Sequence, residues 1–226
     1  MNKLLKIGHR GAKGYCPENT LEAFEQAVLM GCDGIELDVH LSADGEIIVI
    51  HDHSTDRVTG QNGIVSELTA SELKKMTIGD GHEIPLLSEV FDLVNHRAFI
   101  NIELKVGEAA EPVLRLIEKY VAKGWQFPEF LISSFDWPAL QHVSELHPDI
   151  PLGVLTETDL ELAAAFGKTV HAETIHPHFH LLTKENTIAL QQHFKIFTWT
   201  VNEPEDIAKI KQFGVNAIIT DYPDRI

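Results

Sequence analysis

Eight short runs rich in β-branched and aromatic residues alternate with helical patterns along almost the whole chain. The runs are Leu5–Gly8, Ile35–Val39, Phe99–Leu104, Phe130–Ser134, Leu152–Leu155, Thr174–His178, Ile196–Val201 and Ala217–Thr220. Between them lie amphipathic stretches at Thr20–Met30, Leu87–His96, Glu108–Lys123, Trp137–His147, Asp159–Phe166, Lys184–His193 and Pro204–Phe213. Parallel strands need a crossover between them, usually a helix, so this order predicts parallel βα units. At 226 residues the expected architecture is α/β, a (β/α)8 TIM barrel. A doubly wound open sheet is the alternative. It usually has fewer strands and often a glycine-rich phosphate loop after the first, and no such loop follows Gly8.

Residues 54–85 break the alternation. They are rich in Gly, Ser, Thr and Asp, with one short helical pattern at Ala70–Met76. This segment is expected to be an insertion over the barrel mouth, too small to fold alone, within one domain spanning residues 1–226. Just before it, Gly34–Asp52 reads GIELDVHLSADGEIIVIHD. Asp44-Gly45 is a two-residue hairpin signal. Folding back there pairs Asp38 with His51 and leaves Ile47–Ile50 as a returning arm outside the barrel count. Glu36 and Asp38 are two apart, so they share one strand face. Asn19 reads as an N-cap with Glu22 as capping-box partner, and Gly31, Gly124 and Gly214 read as helix stops.

The formal charge is −16 with 18 Lys and Arg scattered along the chain, which disfavours nucleic acid as a partner. No apolar run is long enough to span a membrane, and the N-terminus lacks the pattern of a secretory signal. Cys16 and Cys32 form neither a CxxC pair nor a disulfide framework. A cytoplasmic location is the expectation.

In a (β/α)8 barrel, chemistry gathers where strands end at the C-terminal face. Those ends are polar here: His9 and Arg10 after the first strand, Glu36 and Asp38 on the second, Glu103 and Lys105 on the third. Like charges ~4 Å apart repel by roughly 4 kcal/mol at an effective dielectric of about 20, so three acids meeting there call for a cation. All-oxygen ligation favours Mg²⁺ or Ca²⁺. His9 and His51 suit a general acid and a general base. Arg10 and Lys105 suit phosphate, as a planar fork and a point charge. Together these residues suit phosphoryl transfer on an anionic phosphodiester.

The chain also resembles the glycerophosphodiester phosphodiesterase family. The resemblance rests on His9-Arg10-Gly11, Pro17-Glu18-Asn19-Thr20, Glu36-x-Asp38-Val39, Asp44-Gly45 followed by His51-Asp52, Glu103-x-Lys105, Ser134-Phe135, Trp199-Thr200-Val201-Asn202 and Thr220-Asp221. These motifs run in order from residue 8 to residue 221. The resemblance implies a barrel with an insertion after the His-Asp motif. It implies hydrolysis of diesters such as glycerophosphocholine or glycerophosphoethanolamine to glycerol 3-phosphate and an alcohol. One divalent cation would sit on Glu36, Asp38 and Glu103, with His9 and His51 as acid and base. Arg10 and Lys105 would contact phosphate, and Trp199 and Phe135 would wall the glycerol carbons. The expected partner is a small-molecule glycerophosphodiester; a phospholipase-like diesterase acting on lysophospholipids or phosphoinositides in the same fold is the alternative. The run HAETIHPHFH stands apart: His171, His176, His178 and His180 invite a zinc reading or are ordinary surface and mouth-lining histidines, with His178 at the end of the sixth strand in reach of the substrate and no metal assigned to it.

Overall fold

The computed structural model describes residues 3–226. Its strands are β1 (Leu5–Gly8), β2 (Gly34–Leu41), β3 (Ile47–Val49), β4 (Thr77–Ile78), β5 (His82–Glu83), β6 (Phe99–Leu104), β7 (Phe130–Ser134), β8 (Leu152–Thr156), β9 (Thr174–Pro177), β10 (Lys195–Thr198) and β11 (Ala217–Thr220). Its helices are α1 (Leu21–Leu29), α2 (Asp56–Thr59), α3 (Ala70–Leu73), α4 (Leu87–Val94), α5 (Ala110–Val121), α6 (Trp137–Leu146), α7 (Leu160–Thr169), α8 (Lys184–Leu190) and α9 (Pro204–Phe213). Strands β1, β2 and β6 to β11 pair in parallel, and β1 pairs with both β2 and β11, which closes the expected eight-stranded barrel. Each of the seven anticipated helices is present.

Side-chain alternation explains why these strands close. On β2, Ile35, Leu37 and Val39 point outward into the main core, as do Ile100, Ile102 and Leu104 on β6. That core joins the strands to the apolar faces of helices such as α4 and α5. The intervening positions point into the barrel. A separate apolar cluster of Ile7, Leu131, Phe197, Ala217 and Ile219 accounts for part of that interior. On β6, Phe99 packs on that cluster, and the inward positions beyond it are polar, as on β2: Glu36, Asp38, Asn101 and Glu103.

The β2–β3 hairpin forms, but its register differs from the expectation. Val39 pairs with Val49 and Leu41 with Ile47, so Asp38 lies opposite Ile50 rather than His51. The loop has three residues, not two. Ser42 and Glu46 close it, and Gly45 takes a positive φ of 81°. Tertiary contacts account for the longer loop. Ala43 N donates to Leu68 O (2.8 Å), and Asp44 Oδ1 accepts from Ala70 N at the start of α3 (2.9 Å). A one-residue slip reverses strand faces. His51 reaches the site all the same, because it lies beyond the end of β3.

Residues 54–85 form the expected insertion, with α2, α3 and the β4–β5 hairpin. Val65, Ala70, Leu73, Ile78 and Ile84 pack with Ile48 and Ile50 into a small cluster apart from the barrel core.

Candidate active site

The loop after β1 is shaped by backbone as much as by side chains. Arg10 and Gly11 both have positive φ, 50° and 83°. A Cβ on Gly11 would come within 2.5 Å of the Ala23 backbone, so only glycine fits there. The turn aims Arg10 N at Glu36 Oε2 (2.8 Å). Arg10 Nη1 donates to Glu18 Oε1 (2.8 Å), and its Nε stands 3.3 Å from Asp38 Oδ2 without a hydrogen-bond partner. Arg10 therefore meets Glu36 through its backbone and Glu18 through its side chain.

Asn19 differs from the sequence reading. Thr20 is the N-cap of α1, its hydroxyl accepting from Ala23 N at 3.2 Å. Asn19 instead adopts φ 57° and donates its amide to Asp38 Oδ2 at 2.9 Å. Asn and Thr are both good caps, and only the approach of Asp38 decides between them.

Glu36, Asp38 and Glu103 converge as expected. One carboxylate oxygen from each lies within 4.8 Å of the others, and this is the one such group among the described residues. Burial, then the neighbouring Asp38 and Glu103, raises the Glu36 carboxyl well above the usual range. Burial and Asp38 likewise raise Glu103 to about 7, against the pull of Lys105. Burial works to raise Asp38 too, but Arg10, Lys105 and His51 outweigh it and hold it below its ordinary value. Three crowded acids, two of them reluctant to ionise beside a charged Asp38, are a donor set suited to a hard cation.

Each histidine is held through Nδ1. His9 Nδ1 lies 2.6 Å from Asp221 Oδ1, and Asn202 Nδ2 donates to the other oxygen at 2.8 Å. Burial lowers the His9 pKa, partly offset by Asp221. His51 Nδ1 lies 2.6 Å from Asp52 Oδ1. A carboxylate only accepts, so in both rings Nδ1 carries the proton and Nε2 is left for other work. Lys105 Nζ donates to Glu103 Oε1 (2.7 Å) and sits 3.2 Å from His51 Nε2.

A second layer was not legible in the sequence. Arg57 of α2 donates to Asp52 Oδ2 (2.6 Å) and to Glu18 Oε1 (2.7 Å). It ties the carboxylate behind His51 to the carboxylate beside Arg10. Burial works to raise Glu18, but Arg57 and Arg10 hold it at about 2. The composition of the insertion carries no signal of this link.

Phe135 and Trp199 line the cavity, their rings edge to face at 5.5 Å. The histidine run divides between the cavity and the rim. His176, not His178, lines the cavity. His178 packs edge-on against Trp199 at 5.0 Å. The run joins no metal-ligating group among the described residues.

The Glycerophosphoryl diester phosphodiesterase family model matches residues 9–225. The chain belongs to this family. It is similar to a glycerophosphodiester phosphodiesterase of Caldanaerobacter subterraneus subsp. tengcongensis, 36% identical over 99% of this chain and 96% of that protein. A glycerophosphodiester phosphodiesterase of Bacillus altitudinis is 39% identical over 97% of this chain and 95% of that one. Among solved structures, an Oleispira antarctica phosphodiesterase in complex with the product sn-glycerol-3-phosphate superposes with a TM-score of 0.90 at 26% identity, covering 99% of this chain and 95% of that one. Family membership and the closed barrel agree with the expectation from the motifs.

Proposed function

We propose that this chain hydrolyses glycerophosphodiesters, such as glycerophosphocholine or glycerophosphoethanolamine, to sn-glycerol 3-phosphate and an alcohol. The observation that carries the reading is the cluster of Glu36, Asp38 and Glu103 beside a cavity lined by two oriented histidines and two cations. The product named in the Oleispira antarctica complex supports the same substrate class.

Glu36, Asp38 and Glu103 would hold one divalent cation, Mg²⁺ or Ca²⁺. When bound, that ion supplies Lewis-acid polarisation of the phosphoryl oxygens. Arg10 binds the phosphate with a guanidinium whose Nε has no hydrogen-bond partner among the described residues. Lys105 adds a point charge and exchanges its contact with His51 for one with phosphate. His9 and His51 each present Nε2, one to take a proton from the nucleophile and the other to give one to the leaving alkoxide. Asp221 and Asp52 fix the rings so that these transfers need no reorientation. Trp199 and Phe135 form an apolar wall against the glycerol carbons. The cavity encloses about 120 Å³, which suits a small polyol better than an acyl chain.

The test is product analysis. Purified protein with glycerophosphocholine and Mg²⁺ or Ca²⁺ is expected to release sn-glycerol 3-phosphate and choline. An intact substrate with both ions would refute the reading. Hydrolysis in ¹⁸O-labelled water, with a search for a cyclic phosphate, distinguishes attack by water from attack by the glycerol 2-hydroxyl.

A further inference from the structure

Three buried polar atoms on the cavity wall have no hydrogen-bond partner among the described residues: Asn101 Oδ1, Ser133 Oγ and His176 Nδ1. Their residues are 1%, 0% and 0% exposed, and all line the cavity that Glu36 and Glu103 share. Buried polar atoms are rarely left unpaired, so three on one wall call for a ligand. They come from β6, β7 and β9. Asn101 lies two residues before Glu103 on the same strand face, one layer deeper in the barrel. Ser133 is the register partner of Glu103.

The wall is built around His176. Its Nε2 lies 2.7 Å from Thr174 Oγ1, and its ring stacks on Phe197 at 5.3 Å. A Cβ on Gly153 would come within 2.6 Å of that Nε2, so the neighbouring strand leaves room for the imidazole. Burial pushes His176 down to about 3, which keeps the ring neutral. An amide, a hydroxyl and a neutral imidazole offer donors and acceptors without net charge. Such a set matches an uncharged hydroxyl rather than a phosphate oxygen or a cationic headgroup.

We propose that Asn101, Ser133 and His176 bind the terminal hydroxyl of the glycerol moiety and set the preference for glycerol over simpler alkyl diesters. The inference rests on the glycerophosphodiesterase reading above. Phosphate belongs at the mouth with Arg10 and Lys105, so the hydroxyl farthest from it reaches the deeper layer that holds Asn101.

The probe is 2-hydroxypropyl phosphocholine, which keeps the hydroxyl beside the phosphate and lacks the terminal one. The wild type is expected to favour glycerophosphocholine in kcat/KM by roughly 10²-fold or more, since a site built for a hydroxyl rejects analogues lacking it. Ser133→Ala and His176→Phe are expected to cut that ratio roughly 10-fold each. Ser133→Ala removes a hydroxyl with no protein partner, so its melting temperature should stay at or above the wild-type value. A structural role would lower it. Calorimetry gives a readout free of turnover: sn-glycerol 3-phosphate should bind more tightly than 2-hydroxypropyl phosphate, and Ser133→Ala should narrow the gap. Equal treatment of the paired ligands by the wild type, or variants that keep the wild-type ratios, would overturn the inference. Loss of all turnover on glycerophosphocholine would instead overturn the underlying reading, while the binding comparison still decides this one.

Discussion

Replacing Glu103 with glutamine should stabilise the metal-free protein while disabling it. Burial and Asp38 raise the Glu103 carboxyl from 4.5 to about 7. Each pKa unit is worth about 1.4 kcal/mol, so ionised Glu103 withholds up to about 3 kcal/mol from the fold. The sign follows from the direction of the shift. Below pH 4.5 the carboxyl is protonated in both folded and unfolded chains, and no penalty exists. The penalty grows between pH 4.5 and 7 and is complete above. Glu103→Gln mimics the neutral form at every pH. In EDTA at pH 8.5 the variant should therefore melt higher, by up to about 10 °C for a chain of this size. At pH 4 the two proteins should melt together. Mg²⁺ at a hundred times its dissociation constant should add about 2.7 kcal/mol to the wild type and less to the variant. Thermal unfolding by circular dichroism at the two pH values, with EDTA or Mg²⁺, reads all four conditions. A variant that melts lower than wild type at pH 8.5 in EDTA would refute the reasoning. It would mean that the Lys105 ion pair at 2.7 Å outweighs the crowding of acids.

Outcomes for four further variants are expected. His51→Ala should lower kcat on glycerophosphocholine by ~10²–10⁴-fold with a melting curve close to wild type, and near-normal turnover would exclude it from acid–base work. Asn19→Ala should cost about 2 kcal/mol in denaturant unfolding, through its positive φ and its lost bond to Asp38. Thr20→Ala, which removes the α1 cap and the hydroxyl's bond to Pro17 O, should cost about 2 kcal/mol. Arg57→Ala should lower kcat by roughly 10-fold, because Asp52 and Glu18 lose a shared anchor. Its stability change should stay below about 1 kcal/mol, since Arg57 is half-exposed.

The barrel was legible because each strand carries its own signal: outward Ile, Leu and Val on β2 and β6, and turn residues or helical patterns between. The acids were legible for the same reason, since residues two apart on a strand share a face wherever that strand packs. What escaped the sequence depends on contacts between distant segments. Asp44-Gly45 signals a two-residue turn, but Asp44 is drawn to Ala70 across the insertion and the loop lengthens. Asn19 before Thr20 offers two caps, and Asp38, 19 residues away, claims one of them. Arg57 reaches Glu18 across 39 residues, which no local pattern records. His176 and His178 look alike in the sequence. One faces the barrel interior and the other packs on Trp199 at the rim.

The central claim is that Glu36, Asp38 and Glu103 hold a catalytic divalent cation. Its most direct test is hydrolysis of glycerophosphocholine by protein stripped with EDTA and then titrated with Mg²⁺ or Ca²⁺. Turnover should vanish on stripping and return as one ion binds per chain. Full turnover in excess EDTA would contradict the claim.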